Sequence, residues 1–304
     1  MGIERKTEHM EPTRFGLVGT GYWAGEVHAA GLAGHPDAEL VGVWGRDPAK
    51  ATELAAGHGA TPYADLDEML EAVDAVAFSV PPAVQADLAA RAAGAGKHLL
   101  LEKPIATDLA AADRLLAAVE EAGVSSVVFF TERFVPEREA WLQERLDGGA
   151  LGARAEWLSS LRTPDNPFAA SVWRQREGAL WDVGPHALAA LLWVLGPVVE
   201  VAGARGYDDL VSVVLTHESG ATSTVQLSLT MPPEAMRFGL EFYDEQGWHA
   251  RPEGSLDVVV AQQQAVSELV GQLREGRADH RCGVKFGRDV VEVLHRIEAA
   301  LGAR

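Results

Sequence analysis

Lys103 is the first side chain whose type and setting suggest charge or proton chemistry. It follows three leucines at 99–101 and Glu102, and Pro104 comes directly after it. A proline cannot donate to a sheet and disfavours helical geometry in the residue before it, so Lys103 is predicted to be extended at the carboxyl end of a buried strand. There its ammonium group could hold a hydroxyl and stabilise a developing alkoxide. The alternative is a solvated lysine that merely follows a strand.

A carboxylate and an imidazole form the second group. Asp182 and His186 lie four residues apart in ALWDVGPHALAALLWVLG. Because Pro185 is tolerated only in the first turn of a helix, a helix is predicted to begin near Asp182, with His186 one turn later on roughly the same face. The carboxylate would then orient the imidazole, while the helix N-terminus and Lys103 would favour a neutral base near pH 7. The alternatives are an N-cap for Asp182 and a core position for His186.

Strand-like and helix-like stretches alternate along residues 13–130. The strand-like stretches are apolar runs without period-two alternation, as expected for a parallel sheet covered on both faces. They read RFGLVGTG, AELVGVWG, DAVAFSVPP, KHLLLEKP and SSVVFFT. We therefore predict an α/β protein whose N-terminal domain is a doubly wound parallel sheet. In such a sheet Lys103 would project into the crevice beyond the strand ends, where ligands bind.

The sequence pattern changes from residue 131 onward. A helix is predicted over about 136–146, ending at Gly148 and Gly149. Strand-like stretches that alternate apolar and polar residues follow, with hairpin turns at 218–220 and 245–247. Residues 131–304 are therefore predicted to form a second α/β domain with a large, mostly antiparallel open sheet, one face of which meets water or an interface. The last helix, over about 287–301, is amphipathic and is the element that could return to the first domain.

A glycine-rich turn links the first strand to a helix predicted over about 23–33. It has the pattern G-x-G-x-x-A and consists of Gly19, Thr20, Gly21, Tyr22, Trp23 and Ala24. The first glycine permits a tight turn, the second lets a pyrophosphate approach the backbone, and the small third residue allows close packing of helix on strand. The helix N-terminus adds N–H donors and positive potential. At the first strand–helix junction of an alternating series, this turn predicts a dinucleotide site.

The end of the second strand, VWGRDP, bears on which dinucleotide binds. A carboxylate there would bind the ribose 2′-hydroxyl of NAD, but the chain has Gly45 and Arg46, with Asp47 one step later. Glycine leaves room for a 2′-phosphate, and arginine can bind that phosphate bidentately or stack on adenine. NADP is therefore the predicted cofactor, and NAD is the alternative. The same residues could also form an exposed turn in which Asp47 caps a helix.

Composition excludes several classes of function. The formal net charge of -18 and the sequence pI of about 4.9 disfavour nucleic acid and anionic membranes as partners. The single cysteine, Cys282, cannot form an internal disulfide. No apolar run approaches the roughly 20 residues that cross a bilayer, and the N-terminus has no apolar leader segment, so a cytoplasmic location is expected. No metal site is predicted.

Taken in order, these motifs resemble those of the Gfo/Idh/MocA oxidoreductases, the family of glucose-fructose oxidoreductase and inositol dehydrogenase. The resemblance extends from residue 14 to about 302 and rests on GTGYWA, GKHLLLEKP, ERFVPE, LDGGALG, WR at 173–174 and DVGPH. It implies a Rossmann domain followed by an α/β domain whose large sheet forms dimer or tetramer contacts. It also implies that Lys103, Asp182 and His186 form a catalytic trio.

The resemblance further implies hydride transfer between NAD(P) and a carbinol carbon of a sugar, polyol or related small molecule. By the same analogy, Ser79, Pro81 and Glu102 line the nicotinamide side, and Trp173 and Arg174 touch cofactor or substrate. Two other functions are compatible with such a scaffold: an NAD-assisted enzyme without net redox change, of the glycosidase type, and a non-catalytic dinucleotide sensor. The full Lys–Asp–His set argues against the sensor.

Two further regions bear on the substrate. Arg162, Asn166 and Arg174 lie on a loop-like stretch, LRTPDNPFAASVWRQREG, and are plausible substrate contacts. Gln85 stands near a position where members of the family often have a histidine. This departure leaves the substrate contacts on that side open.

Overall fold

Two six-stranded sheets, both packed against helices, make up the protein. The computed structural model describes residues 11–161, 163 and 166–302. The first sheet contains β1 (Thr13–Val18), β2 (Ala38–Trp44), β3 (Thr61–Tyr63), β4 (Ala75–Phe78), β5 (His98–Leu101) and β6 (Ser126–Val128). The helices along it are α1 (Ala30–Ala33), which continues a π-helix at Ala24–Ala29, α2 (Pro48–His58), α3 (Leu66–Ala72), α4 (Pro82–Gly94) and α5 (Leu109–Ala122).

The first sheet is parallel throughout, with the strand order β3-β2-β1-β4-β5-β6. The order reverses between β1 and β4, so a crevice opens at the carboxyl ends of these strands. The β4 side chains and the leucines at 99–101 are fully buried, because helices cover both faces of the sheet. The predicted doubly wound sheet is confirmed, and Lys103 follows β5 at the edge where the crevice lies.

Short polar signals set the helix ends of this domain. Asp47, Asp65 and Asp108 cap α2, α3 and α5 by accepting backbone N–H groups of the first turn. Gly59 and Gly123 end α2 and α5 in the left-handed conformation. The sequence analysis makes no prediction for β3 or α3, and β3 is only a three-residue edge strand with a proline at its centre.

The second sheet follows α6 (Pro136–Asp147). Its strands are β7 (Gly152–Leu158), β8 (Val198–Arg205), β9 (Val211–His217), β10 (Thr222–Ser228), β11 (Arg237–Asp244) and β12 (Gly247–Ala250), and the remaining helices are α7 (Val172–Asp182), α8 (Gly184–Leu195), α9 (Val258–Glu275) and α10 (Val284–Leu301). The strand order is β12-β11-β7-β10-β9-β8; only β7 and β10 pair in parallel, so the predicted, mostly antiparallel sheet is confirmed. The predicted turns join β9 to β10 and β11 to β12.

The helix predicted to begin near Asp182 is confirmed as α8, which begins at Gly184 with its proline in the first turn. Asp182 itself is the last residue of the preceding helix, α7. The stretch predicted as a loop up to Gly178 is helical from Val172 onward. Gly178 interrupts α7 with φ 73, a backbone conformation that glycine adopts readily. The loop prediction failed there because a glycine inside an otherwise helical segment leaves no clear sequence signal for where each half ends.

The stretch Val172–Leu195 is long and apolar enough to span a membrane by length and composition alone. In the structure, 78% of its apolar window is buried inside the protein. One face of the second sheet packs against these two helices. We therefore assign α7 and α8 to the core of the second domain.

The two C-terminal helices contact the first domain. α9, for which the sequence analysis makes no prediction, lies beside α1, and His35 Nε2 is 2.7 Å from Ser267 Oγ. α10 packs so closely on the first domain that a Cβ on Gly287 would lie 2.9 Å from Ile105 Cγ2. Its other end contacts β8, where Arg296 donates to the main-chain oxygen of Val199 at 2.7 Å. α10 therefore bridges the two sheets.

Candidate functional site

The glycine turn lies at the carboxyl end of β1, beside the end of β4. Gly19 has φ 132, and a Cβ there would lie 2.2 Å from the main-chain oxygen of Ser79, so the position requires glycine. A Cβ on Gly21 would meet no atom within 4 Å. The backbone of Gly21 therefore faces open space ahead of the helix, which is the cradle that a pyrophosphate needs. Ser79 and Pro81 lie at the same edge, between β4 and α4.

An arginine, Arg46, and an aspartate, Asp47, follow the end of β2. A Cβ on Gly45 would lie 2.6 Å from Thr20 Cγ2, so the present packing of the turn favours a glycine there whichever dinucleotide binds. Asp47 accepts N–H groups of the first turn of α2, which is the capping role considered above. The Arg46 side chain is exposed and has no hydrogen bond or ion pair with any described residue. Arg46 is thus free to meet a ligand.

Glu102 connects the glycine turn to Lys103. Its Oε1 accepts a hydrogen bond from Trp23 Nε1 at 2.7 Å and lies 3.0 Å from His28 Nε2. Its Oε2 accepts the backbone N–H of Lys103 at 3.2 Å. Both carboxylate oxygens are therefore engaged by protein groups. They fix the helix that follows the turn, which begins with the fully buried Ala24, against the end of β5.

Gln85 holds the same segment from the side of α4. Its Nε2 donates to the main-chain oxygens of Glu102 at 2.7 Å and Pro104 at 3.2 Å, and its Oε1 accepts from the N–H of Glu102 at 3.0 Å. The side chain is fully buried. Gln85 therefore positions the backbone around Lys103. A polar residue on the apolar face of an alanine-rich helix was the sequence signal for this role.

A buried ion-pair cluster centres on Asp182. Lys103 Nζ donates to the main-chain oxygen of Asp182 at 2.8 Å and lies 3.3 Å from its Oδ1. Arg174 Nε donates to Oδ2 at 2.9 Å. Burial by itself would raise the pKa of Asp182, but the charges of Lys103 and Arg174 outweigh burial and lower it. Asp182 is therefore a carboxylate that holds two cations.

The break at Gly178 makes this cluster possible. Arg174 and Asp182 are eight residues apart on α7, a separation of about 12 Å along a straight helix. The interruption between them lets the guanidinium reach the carboxylate. The cluster therefore depends on backbone geometry that the spacing of the residues does not reveal.

His186 lies beside the cluster in the first turn of α8. Burial, with the positive charge of Lys103 as the next cause, lowers the pKa of His186 to about 3, although Asp182 acts in the opposite direction. The imidazole is therefore neutral near pH 7. Among the described residues, no hydrogen bond joins Asp182 to His186, so the expected orienting contact is not formed. Asp182 acts on His186 through its charge.

The loop before α7 packs on the glycine turn. The Phe168 ring centroid lies 5.7 Å from that of Tyr22 and 6.0 Å from that of Trp23. Arg174 stacks on Phe168 and on Trp173, at 4.3 and 4.8 Å from the ring centroids. Sequence reasoning overlooked Phe168, because a single aromatic residue in a polar loop carries no pattern.

Of the three expected substrate contacts in this stretch, Arg174 binds Asp182, and the other two have different outcomes. Asn166 uses its amide within the loop: Nδ2 donates to the main-chain oxygen of Ser160 at 3.1 Å, and Oδ1 accepts the N–H of Phe168 at 2.9 Å. Arg162 lies outside the described residues. A substrate role for either residue stays a prediction.

The arrangement provides the parts for coupled hydride and proton transfer. An ammonium group and a neutral imidazole lie side by side at the crevice that the glycine turn borders, and such groups can polarise an oxygen and accept its proton. In the described part of the chain, no cluster of His, Cys, Asp and Glu has the makings of a metal site.

Two family models match the chain. The model described as the oxidoreductase family, NAD-binding Rossmann fold, of the Gfo/Idh/MocA proteins matches residues 13–130. The model of the Gfo/Idh/MocA C-terminal domain matches residues 140–249. The two matches together cover most of the chain.

Curated relatives are similar over different shares of their length. An uncharacterised oxidoreductase of Synechocystis is 34% identical over 199 residues, which are 61% of this chain and 52% of that protein. The chain thus spans about half of that relative. The inositol 2-dehydrogenase of Rhizobium meliloti is 32% identical over 229 residues, which cover 71% of this chain and 68% of that enzyme.

Solved structures share the fold. The WlbA dehydrogenase from Bordetella pertussis, in complex with NADH and UDP-GlcNAcA, superposes with a TM-score of 0.80 at 23% identity, covering 95% of this chain and 96% of that one. At that identity the likeness shows the fold alone. With both family models and the inositol dehydrogenase relative, it leads to one conclusion: the chain belongs to the Gfo/Idh/MocA family of oxidoreductases, with a Rossmann domain that binds a nicotinamide dinucleotide.

Proposed function

We propose that the protein is an NADP-dependent oxidoreductase that exchanges a hydride with a carbinol or carbonyl carbon of a sugar, polyol or related small molecule. One observation carries this proposal: Lys103 Nζ is held by Asp182 beside a neutral His186, at the edge of the sheet where the glycine turn lies. A dinucleotide sensor without chemistry would not need a buried carboxylate that fixes a lysine next to an imidazole.

Each side chain has a separate task in the proposed reaction. The bound dinucleotide supplies the hydride chemistry. His186 takes the hydroxyl proton during oxidation and returns it during reduction, and Lys103 donates a hydrogen bond to the reacting oxygen. Asp182 keeps the ammonium group in place through two contacts, and Arg174 balances the carboxylate from its other side.

NADP is the proposed dinucleotide because of Arg46. An exposed guanidinium without a partner among the described residues suits a 2′-phosphate, which it can bind bidentately. Asp47 uses its Oδ1 to cap α2. NAD stays the alternative, since a structure with the same fold holds NADH.

The proposed substrate class follows the names of the relatives. The Rhizobium meliloti relative is an inositol dehydrogenase, and the Bordetella structure holds a nucleotide sugar acid. Both compounds carry secondary hydroxyl groups on six-membered rings. A ring alcohol of this kind suits a site that offers one base and one ammonium group.

We further propose that the protein acts in the cytoplasm as a homodimer or homotetramer through the second sheet. The sheet face opposite α7 and α8 carries the half-exposed side chains of Arg154 and Val214. Glu156 is buried on that face between Arg154 and Arg237, with oxygen–nitrogen distances of 2.6 Å to both. A second copy would cover this face and bury the exposed Trp248, which pairs with Tyr243 on the same face.

Replacing Arg46 tests the cofactor assignment. Arg46→Ala removes the charge proposed to bind the 2′-phosphate, so the Kd for NADPH should rise about 10- to 100-fold while that for NADH changes little. Tryptophan quenching measures both constants. Arg91→Ala is the matched control, because Arg91 is an exposed arginine near the far end of α4. Equal effects on NADPH and NADH would contradict NADP specificity.

Replacing Lys103 tests the catalytic assignment. Lys103→Met keeps the length of the side chain and removes the ammonium group, so kcat/KM should fall about 10²- to 10⁴-fold with little change in NADPH affinity. Reduction of a panel of keto-inositols and keto sugars, followed by NADPH absorbance, gives the rates. Lys97→Met is the control, because Lys97 precedes the same strand, β5, and donates to Val73 at 3.0 Å. Wild-type turnover by Lys103→Met would rule the role out.

The pH dependence of alcohol oxidation tests the state of His186. Because burial and Lys103 lower the pKa of His186 to about 3, the imidazole stays able to accept a proton well below pH 6.5. The kcat/KM for oxidation should therefore show no loss between about pH 8 and pH 5 that is due to His186. An acidic limb near pH 6.5 that disappears in His186→Gln would contradict a depressed pKa.

A further inference from the structure

The structure leaves open which group sets the tautomer of His186. A general base must present a lone pair at one ring nitrogen, and the hydrogen bond at the other nitrogen decides which one it presents. Asp182 is occupied, because its Oδ1 faces Lys103 and its Oδ2 accepts from Arg174. His186 Nδ1 is buried and has no hydrogen-bond partner. A buried ring nitrogen without a partner is rare unless water is present.

His186 also lines a small cavity whose lining does not include Lys103, Asp182 or Arg174. The cavity has a volume of about 10 Å³, which is the scale of a single water molecule. Trp141, Trp157 and Leu240 form much of its apolar wall. Its charged lining consists of Glu132, Arg133, Arg138 and Arg251, so Glu132 is the one carboxylate among these lining residues.

Glu132 has one oxygen engaged and one available. Its Oε2 lies 2.7 Å from Arg138 Nη1 and 2.8 Å from Arg251 Nη1. Its Oε1 makes no hydrogen bond with any described residue. Arg138 Nη1 is buried and lacks a hydrogen bond of good geometry despite its ion pair. His186, the arginine with the unpartnered donor and the glutamate with the available oxygen therefore line one cavity.

We propose that one water molecule occupies this cavity and joins His186 Nδ1 to the carboxylate of Glu132, so that Glu132 fixes the tautomer that presents Nε2 to the substrate. The inference rests on the proposed function, because it assigns Glu132 as a positioning residue for the proposed base. The water would accept from His186 Nδ1–H and Arg138 Nη1 and donate to Glu132 Oε1. Three partners are what a buried water usually has.

Charged side chains lie near His186 both at the Asp182 cluster and in the lining of the cavity. Lys103 follows β5 and Arg174 lies on α7, with Asp182 between them. On the cavity side, Arg138 and Arg251 pair with Glu132.

Arg133 also borders the cavity, but its guanidinium is bound to Glu139 and to the main-chain oxygen of Ala189. Lys103 and the buried surroundings oppose charge on the imidazole. A carboxylate linked to Nδ1 stabilises the imidazolium that forms when Nε2 takes the substrate proton, as carboxylates behind metal-bound histidines raise ligand basicity. The proton moves from the hydroxyl to Nε2, and Nδ1–H keeps its bond to the water.

The tautomer can be measured without a substrate. Long-range ¹H–¹⁵N NMR on protein labelled with ¹⁵N-histidine distinguishes protonation at Nδ1 from protonation at Nε2. The chain has ten histidines, and loss of signals in His186→Asn assigns the relevant ring. In the wild type His186 should carry its proton on Nδ1. A wild-type His186 with its proton on Nε2 overturns the proposal.

Glu132→Gln should change this tautomer, giving a mixture with or a majority of the Nε2–H form. Its kcat should fall about tenfold with an unchanged NADPH Kd. Glu139→Gln is the matched control, because Glu139 forms an equally close pair with Arg133 at 2.6 Å but does not line the cavity. The control should keep the Nδ1–H form even if its stability falls.

An unchanged His186 tautomer in Glu132→Gln, or the same change in Glu139→Gln, would refute the role of Glu132. If Glu132→Gln does not fold, Arg251→Gln leaves Glu132 paired with Arg138 and should retain the Nδ1–H form; its loss would count against the bridge. A failure of the proposed function looks different. The wild type would then reduce none of the carbonyl compounds with NADPH, while the tautomer of its His186 could still be measured.

Discussion

The buried carboxylate of Asp182 is the interaction on which the rest of the site depends. It lies on α7 of the second domain, yet it holds Lys103, which follows a strand of the first domain. Removing one partner of a buried ion pair typically costs about 3–5 kcal/mol, because the remaining charge is left without compensation. Without Asp182, two cations would face each other beside His186. The same contact therefore joins the domains and defines the place of the ammonium group.

The segment around Lys103 is fixed equally firmly from the first domain. Glu102 binds Trp23 and lies beside His28, and Gln85 holds the backbone on both sides of Lys103. The buried strand β5 is followed by two charged residues because Glu102 binds the helix of the glycine turn while Lys103 binds Asp182 of the second domain. A shift in the glycine turn would be transmitted to the lysine through a single side chain. The dinucleotide site and the proposed acid–base site are mechanically connected in this way.

Local patterns in the sequence predict the first sheet and the dinucleotide turn. Apolar runs between helices identify the parallel sheet, and the glycines at 19 and 21 identify the dinucleotide turn because each glycine has its own steric reason. The pairing of Lys103 with Asp182 agrees with the resemblance to a known family. These features depend on residues near in sequence or on an ordered set of motifs.

Other features could not be read from the sequence because they depend on contacts between distant segments. Gln85 appears as a departure from the family pattern until its bonds to Glu102 and Pro104 are seen. The break at Gly178 and the cavity shared by His186 and Glu132 exist only once α6, α7, α8 and the second sheet have packed together. Residue type alone would have marked Glu132 as a solvated acid.

A crystal structure of the protein with NADP⁺ bound would test the central claim most directly. The account predicts that the pyrophosphate lies on the backbone of Gly21, the 2′-phosphate contacts Arg46, and the nicotinamide ring lies beside Lys103, which stays bonded to Asp182. A nicotinamide ring bound away from Lys103, or a Lys103 that has left Asp182, would contradict it.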